Sequence, residues 1–202
     1  MSIEIHNMEQ RSPEWFAIRK GRIGGSEADG LLTPAKMKTL LYKKAAEILY
    51  DTIEEESYVS AVMQRGIDLE PDALYEYFLE TEVLPMNYGY ITNESKYCGL
   101  SPDGVNKAMT VAQEVKCLSR YKHVEIIDSN TIPKEYHAQL SWYHFVIPTL
   151  ERVDFISYDP DAPRRIHIIP FYRKEAIDFT DKYELYINEL NKILKKCQSQ
   201  EN

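Results

Sequence analysis

Apolar residues recur at helical spacing in the last part of the chain, from Glu175 to Lys196. The repeating positions are Phe179, Tyr183, Tyr186, Leu190 and Ile193. Intervals of three and four residues place them on one stripe of an α-helix. We therefore predict an amphipathic helix that closes the fold.

The first third of the chain also has helical patterns. In SPEWFAIRK, residues 12–20, Ser12 is a candidate N-cap and Pro13 stands in the first turn, where its missing N–H costs nothing. The predicted inward positions of this helix are Trp15, Phe16 and Ile18.

Further helices are expected beyond a glycine-rich break. Gly21, Gly24 and Gly25 interrupt the pattern before SEADGLL, which begins at Ser26 and has the composition of a short helix. Helices around Lys36–Leu49 and Tyr58–Leu69 follow. Pro71 is expected to start a third helix, with Glu70 at the junction and these residues inward: Ala73, Leu74, Tyr77 and Phe78.

From Glu82 onward β-forming residues dominate. One helix interrupts them, Lys134 to Val146, which Pro148 ends. The strands should form one curved, mixed sheet flanked by helices, in an α/β (α+β) domain that occupies residues 1–202. The predicted strands are Gly89–Thr92, Tyr97–Gly99, Gly104–Asn106, Thr110–Leu118, Arg152–Tyr158 and Arg165–Pro170.

Composition narrows the class of protein. The 202 residues are 44% hydrophobic, enough for one core. Cys98, Cys117 and Cys197 are too few for a disulfide framework, and no stretch reaches the roughly 20 apolar residues of a spanning helix, so we expect a cytoplasmic protein with reduced thiols. A net charge of -8 argues against binding nucleic acid by bulk electrostatics, so any DNA contact should be local or metal-bridged.

The segments SPDGV, residues 101–105, and QEVKC, residues 113–117, carry the candidate chemistry. Residues two apart share one face of a strand, so Glu114 and Lys116 should project together. The gap between Val105 and Val111 allows a hairpin that brings Asp103 beside Glu114. Carboxylate oxygens suit Mg²⁺ or Mn²⁺, and a lysine beside them fits hydrolysis of a phosphodiester.

Two simpler interpretations stay open on these residues alone. Asp, Glu and Lys near a hairpin are often solvated surface charges. Gln139 and Tyr143 are four residues apart on one helical face, yet that helix could be an ordinary amphipathic one with Leu140, Trp142 and Phe145 packed and Gln139 exposed.

S-P-D-G followed by E-V-K resembles the PD-(D/E)xK nuclease motif, and more closely the lambda exonuclease group, the YqaJ-like viral recombinases. EQRSPEWFAIRKGRIGGSEA, residues 9–28, is similar to that group's N-terminal motif, and RGIDLEPDALYEY, residues 65–77, to its second helical motif. EYHAQLSWY and FISYDP resemble its later helix and strand, so the resemblance extends from Met8 to Asp159. The Q-x-x-x-Y pair also resembles a motif of RecB-like nucleases.

The resemblance implies a restriction-endonuclease-like core and a role for each matching residue. Asp103 would bridge two Mg²⁺ ions, for which Mn²⁺ can substitute, and Glu114 and the carbonyl of Val115 would ligate one of them. Glu70 would help hold the second ion or its water. Lys116 would contact the attacking water or the scissile phosphate.

The same resemblance implies a pocket for a 5′-terminal phosphate, formed by Arg19, Ser26 and Ser101, with Gln139 and Tyr143 beside the cleaved strand. An arginine fork and hydroxyl groups are suitable anion donors. Taken singly, Arg19 could be a surface cation and Ser26 an N-cap.

By resemblance, the expected activity is 5′-to-3′ degradation of the 5′-phosphorylated strand of linear duplex DNA, which leaves 3′ overhangs for recombination by strand annealing. Homotrimeric rings, a phage single-strand annealing partner and a bacterial host cytoplasm are the expected context. The alternatives are a PD-(D/E)xK endonuclease, an inactive DNA-binding protein and an RNA-directed nuclease. The cysteines do not match the iron–sulfur pattern of Cas4-like relatives.

Overall fold

A computed structural model of the protein describes residues 2–53 and 61–199. Its α-helices are α1 Pro13–Arg19, α2 Pro34–Leu49, α3 Ala61–Thr81, α4 Arg120–Ser129, α5 His137–Val146 and α6 Thr180–Gln198. Its strands are β1 Ile3–His6, β2 Tyr90–Asn93, β3 Gly104–Val105, β4 Val111–Lys116, β5 Arg152–Tyr158 and β6 Ile166–Tyr172. Short 3₁₀ helices occur at Gly25–Leu31, Lys134–Tyr136 and Arg173–Glu175.

The main sheet has the strand order β3-β4-β5-β6. The pair β4–β5 is parallel and its neighbours are antiparallel, so the predicted mixed sheet is confirmed. The expectation of one sheet is wrong, because β2 pairs with β1 in a separate antiparallel ribbon. Sequence patterning did not identify β1, in which the two end residues are half-buried and the two middle residues are exposed.

Helices cover both faces of the main sheet. On one face α3 packs through Ala73 and Tyr77 against Val115 and Ile156. On the other face α5 lies over the sheet, with Trp142 in the same apolar cluster as α2 and α6. β4 is therefore enclosed on both faces, which explains its nearly continuous burial.

Helix α3 differs from the prediction. Residues 58–60 of the expected second helix lie outside the described residues, and the rest continues through Pro71 to Thr81 without a break. Pro71 removes one helical N–H, but packing of Ala73 and Tyr77 on the sheet keeps the chain helical. Glu70 consequently lies within the helix and not at a junction.

Several helix boundaries follow local capping chemistry. Ser12 accepts a hydrogen bond from the backbone N–H of Trp15 at 3.3 Å, as expected of an N-cap.

Other elements differ from the prediction. The segment from Lys134 begins as a 3₁₀ turn before α5, and α6 starts at Thr180, later than predicted. The sequence reading also missed α4, and at the predicted strand Tyr97–Gly99 only an isolated bridge from Cys98 to Ile23 forms.

Among the helices that the structure describes, none combines the length and the apolar character needed to cross a membrane.

His144 on α5 makes the stability of the fold depend on pH. The ring is 4% exposed and lies 6.0 Å from the Phe171 ring, and burial together with the nearby Arg173 lowers the pKa of His144. Below the ordinary histidine pKa of about 6.5, the unfolded chain therefore takes up a proton that the folded chain resists. Stability is lost as the pH falls.

We expect His144→Leu to reduce the loss of stability that the protein shows as the pH falls. Urea unfolding at pH 7 and pH 5, followed by circular dichroism, should show a smaller fall in the free energy of unfolding for the variant than for the parent. Equal falls in both proteins would contradict the role of His144.

Candidate active site

The β3–β4 hairpin brings the first candidate carboxylate to β4. Gly104 pairs with Gln113, and at the turn the Asn106 side chain accepts hydrogen bonds from the backbone N–H groups of Thr110 and Val111. Asp103, one residue before β3, accepts a 2.7 Å hydrogen bond from the N–H of Val115. The predicted hairpin is confirmed, and Asp103 lies beside the Glu114–Lys116 segment.

Glu114 and Lys116 share one face of β4, as their spacing predicts. The Lys116 ammonium lies 2.6 Å from Glu114 Oε1, and Glu114 is only 3% exposed. Val115 turns to the other face, where it packs with Tyr77 of α3. The pair therefore joins a buried carboxylate to a half-buried ammonium and is not two solvated surface charges.

Helix α5 supplies two more donors to the same carboxylate. The Gln139 amide donates to Glu114 Oε1 at 2.7 Å, and the Tyr143 hydroxyl donates to Oε2 at 2.6 Å. Leu140 and Trp142 are buried on the packed side, as the simpler interpretation expected, but Gln139 is not merely exposed. Both oxygens of Glu114 are thus engaged by protein donors.

Glu70 brings a third carboxylate from α3. Burial raises the pKa of Glu70, Arg11 opposes the rise and the charge of Glu114 adds to it. Burial and the negative charges of Glu114 and Glu70 raise the pKa of Asp103 well above its usual value. Three carboxylates from separate elements are therefore close enough to repel one another.

Lys116 partly offsets this negative charge. Burial alone would lower the pKa of Lys116, but the carboxylates of Glu114 and Asp103 raise it above the ordinary lysine value. The neighbouring carboxylates therefore favour the protonated form of the amine.

The chemistry of these donors, though not their present arrangement, suits a hard divalent cation. Carboxylates offer the oxygen ligands that such a cation prefers, and a cation beside Asp103 would offset the charges of Glu114 and Glu70, which add to burial in raising the pKa of Asp103. Across residues 2–53 and 61–199, no group of three or more His, Cys, Asp and Glu side chains is arranged to hold a metal ion as it stands. Glu114 is turned instead toward Lys116, Gln139 and Tyr143.

Arg19 and Ser101 of the predicted phosphate pocket meet on Trp15. The Arg19 guanidinium stacks 3.9 Å from the centre of the Trp15 ring. The Trp15 indole N–H donates to the Ser101 hydroxyl at 2.6 Å, and Ser101 donates to the Gly89 carbonyl at 3.1 Å. Trp15 thus joins α1 to the segment that precedes Asp103.

Ser26 lies on the adjacent turn. It is exposed within the 3₁₀ helix Gly25–Leu31, whose N-cap is Gly24, so the interpretation of Ser26 as an N-cap is wrong. A Cβ at Gly25 would lie 3.3 Å from Leu100 and 3.4 Å from Gln139. This close approach brings the turn that carries Ser26 against α5.

Sequence reasoning missed Tyr136. Its ring centre lies 5.3 Å from the Lys116 ammonium. A signal was present, because Tyr136 precedes Gln139 by three residues and Tyr143 by seven, which is the spacing of one helical face.

The chain resembles solved exonuclease structures. It matches an alkaline exonuclease, LHK-Exo, from Laribacter hongkongensis with a TM-score of 0.82 and 26% sequence identity, over 93% of this chain and 96% of that one. The complex of LHK-Exo with dAMP matches equally well. A phage related exonuclease from Haemophilus somnus 129PT shares the fold, with a TM-score of 0.59 and 14% identity over 87% of this chain and 94% of that one. The predicted restriction-endonuclease-like core is confirmed.

Comparison with curated protein sequences finds no match. The family model of the YqaJ-like viral recombinase domain matches residues 14–148, more than half of the chain. That span contains α1 except for Pro13, together with Glu70, the β3–β4 hairpin and α5. The chain therefore belongs to the YqaJ-like viral recombinase family, as its motifs predicted.

Proposed function

We propose that the protein is a metal-dependent exonuclease that degrades the 5′-phosphorylated strand of linear duplex DNA in the 5′-to-3′ direction. The 3′ single-stranded overhangs would serve recombination by strand annealing. One observation carries the proposal: the Lys116 ammonium lies 2.6 Å from Glu114 Oε1, and Asp103 accepts a 2.7 Å hydrogen bond from the backbone N–H of the intervening Val115. Membership of the recombinase family and likeness to an alkaline exonuclease support it.

The residues that would hold divalent cations are Asp103, Glu114, Glu70 and the carbonyl of Val115. Two Mg²⁺ ions are proposed, with Mn²⁺ able to replace them, because carboxylate and carbonyl oxygens suit both. When bound, such ions lower the pKa of a water and offset charge that develops on the phosphate.

Lys116 and α5 have separate roles in this proposal. The Lys116 ammonium would donate to the attacking water or to a non-bridging oxygen of the scissile phosphate. Gln139 and Tyr143 hold the Glu114 carboxylate in one orientation, at 2.7 and 2.6 Å. Each carboxylate oxygen can accept two hydrogen bonds or ligand bonds, so Oε2, which accepts from Tyr143, keeps a lone pair for a cation.

Arg19, Ser26 and Ser101 would recognise the 5′-terminal phosphate, with Gln139 near the cleaved strand. Stacking on Trp15 restricts the Arg19 guanidinium, so less conformational entropy is lost when it binds an anion. Ser101 is joined through Pro102 to Asp103, so the proposed end-binding and hydrolytic groups are neighbours in the chain.

A homotrimeric ring and a single-strand annealing partner complete the proposal. Enclosure would retain DNA despite the net charge of -8. The exposed side chains of Tyr75, Leu79 and Leu84, on and just after α3, offer apolar area for a subunit contact. The mass of the native protein in solution measures the oligomeric state directly.

A panel of DNA substrates tests the activity. Linear duplexes with 5′-phosphate or 5′-hydroxyl ends and a closed circle are incubated with Mg²⁺, with Mn²⁺ or with EDTA. We expect degradation of the linear 5′-phosphorylated strand with either cation and none with EDTA. Cleavage of the closed circle would favour the endonuclease alternative instead.

Lys116→Ala should remove most activity and leave the fold intact. Loss of one preorganised donor to a developing charge typically costs about 10²–10³-fold in rate. The rate of hydrolysis and the circular dichroism spectrum measure the two effects. Lys192→Ala, which removes an exposed lysine of α6, is the matched control, and a rate for Lys116→Ala equal to that control would refute the role.

Arg19→Ala should erase the preference for phosphorylated over hydroxyl 5′ ends more than it weakens dependence on Mg²⁺. The arginine contacts the end and not the carboxylates, so the ratio of kcat/KM for the two ends should fall toward one. Lys20→Ala removes the neighbouring cation, which pairs with Asp51, and should keep the preference. A parent enzyme that uses both ends equally would remove the basis for the pocket.

A further inference from the structure

Tyr136 lies at the N-cap of α5, directly before the helix that carries Gln139 and Tyr143. These three residues follow one another at intervals of three and four, so they lie on one face of the helix. Gln139 and Tyr143 both donate to Glu114, whereas Tyr136 presents its ring to Lys116. Residues on one face of the helix therefore contact both Glu114 and Lys116.

The Tyr136 ring is fixed by its own packing. Its centre is 5.3 Å from that of Phe155, a fully buried residue of β5, with the two rings tilted by 38°. β5 is the parallel neighbour of β4, and Phe155 pairs with Glu114 in the register. The ring thus rests on the same part of the sheet that carries the ion pair.

An aromatic face suits the ammonium in a way that another carboxylate would not. A ring centre within about 6 Å attracts a cation through the quadrupole of the ring. The face takes up little of the hydrogen-bonding capacity of the ammonium, whereas a carboxylate would bind its N–H groups directly. Lys116 can therefore be held in place while its donors remain directed at Glu114 and at a substrate.

We propose that Tyr136 is a positioning residue for Lys116, acting through its ring face and not through its hydroxyl. This inference rests on the proposed function for its effect on catalysis, but the contact itself does not. Tyr136 confines the ammonium between the ring and Glu114, so that the amine meets the scissile phosphate without a search through its rotamers.

Two variants of Tyr136 separate the ring from the hydroxyl. Tyr136→Phe keeps the aromatic face, and Tyr136→Leu removes it with a side chain of comparable apolar character. We expect kcat to fall about tenfold in the Leu variant with KM within about twofold, and the Phe variant to stay within about threefold of the parent, since a desolvated cation–π contact has this magnitude. Tyr121→Leu, at an exposed tyrosine of α4, is the matched control.

A spectroscopic measurement makes the test independent of nuclease activity. In protein with ¹³C-labelled lysine, the Hε protons of Lys116 should be shifted upfield by the ring current of Tyr136, with the assignment made from Lys116→Arg. The shift should persist in Tyr136→Phe and disappear in Tyr136→Leu. Thermal unfolding followed by circular dichroism shows that each variant is folded.

The outcomes distinguish this inference from the proposed function. The inference is overturned, whatever the nuclease activity, if the parent protein shows no upfield shift of the Lys116 Hε protons. It is also overturned if the shift persists in Tyr136→Leu. Equal loss of kcat in the Phe and Leu variants also overturns it, because the hydroxyl would then be the active group. A parent without nuclease activity that still shows the shift refutes the proposed function and supports the contact.

Discussion

The buried carboxylate of Glu114 is the constraint on which the site depends. A carboxylate that is 3% exposed is costly unless donors compensate it, and here Lys116, Gln139 and Tyr143 do so. Removing one of them would leave a buried charge short of a partner. The contacts bind α5 to β4, so satisfying this charge also fixes the geometry of the site.

Strand β4 can hold the buried Glu114 carboxylate because one of its faces is charged and the other is apolar. Glu114 and Lys116 face α5, while Val115 and Cys117 join the apolar cluster beneath α3. β5 pairs with β4 from Val111 to Lys116, and on the other edge the N–H of Val115 donates to Asp103. The charged side chains therefore project from a rigid support, which limits the entropy lost when they act together.

Trp15 connects the first helix, α1, to the same site. Its ring holds Arg19 and its indole N–H holds Ser101, two residues before Asp103. The segment Ser101–Asp103 thus connects α1 with the β3–β4 hairpin. Packing of this kind joins a candidate anion pocket to the carboxylates without any long-range mechanism, because both depend on one short stretch of backbone.

The sequence by itself determined the local features, since they depend on spacing along the chain. These are the strand face shared by Glu114 and Lys116, the hairpin that returns Asp103, and the helical face shared by Gln139 and Tyr143. Only the tertiary structure decided that α3 continues through Pro71, that β1 and β2 form a separate sheet, and that the Tyr136 ring lies over Lys116. These features depend on packing between distant segments, and the spacing of residues within one segment does not specify which distant residues it will contact.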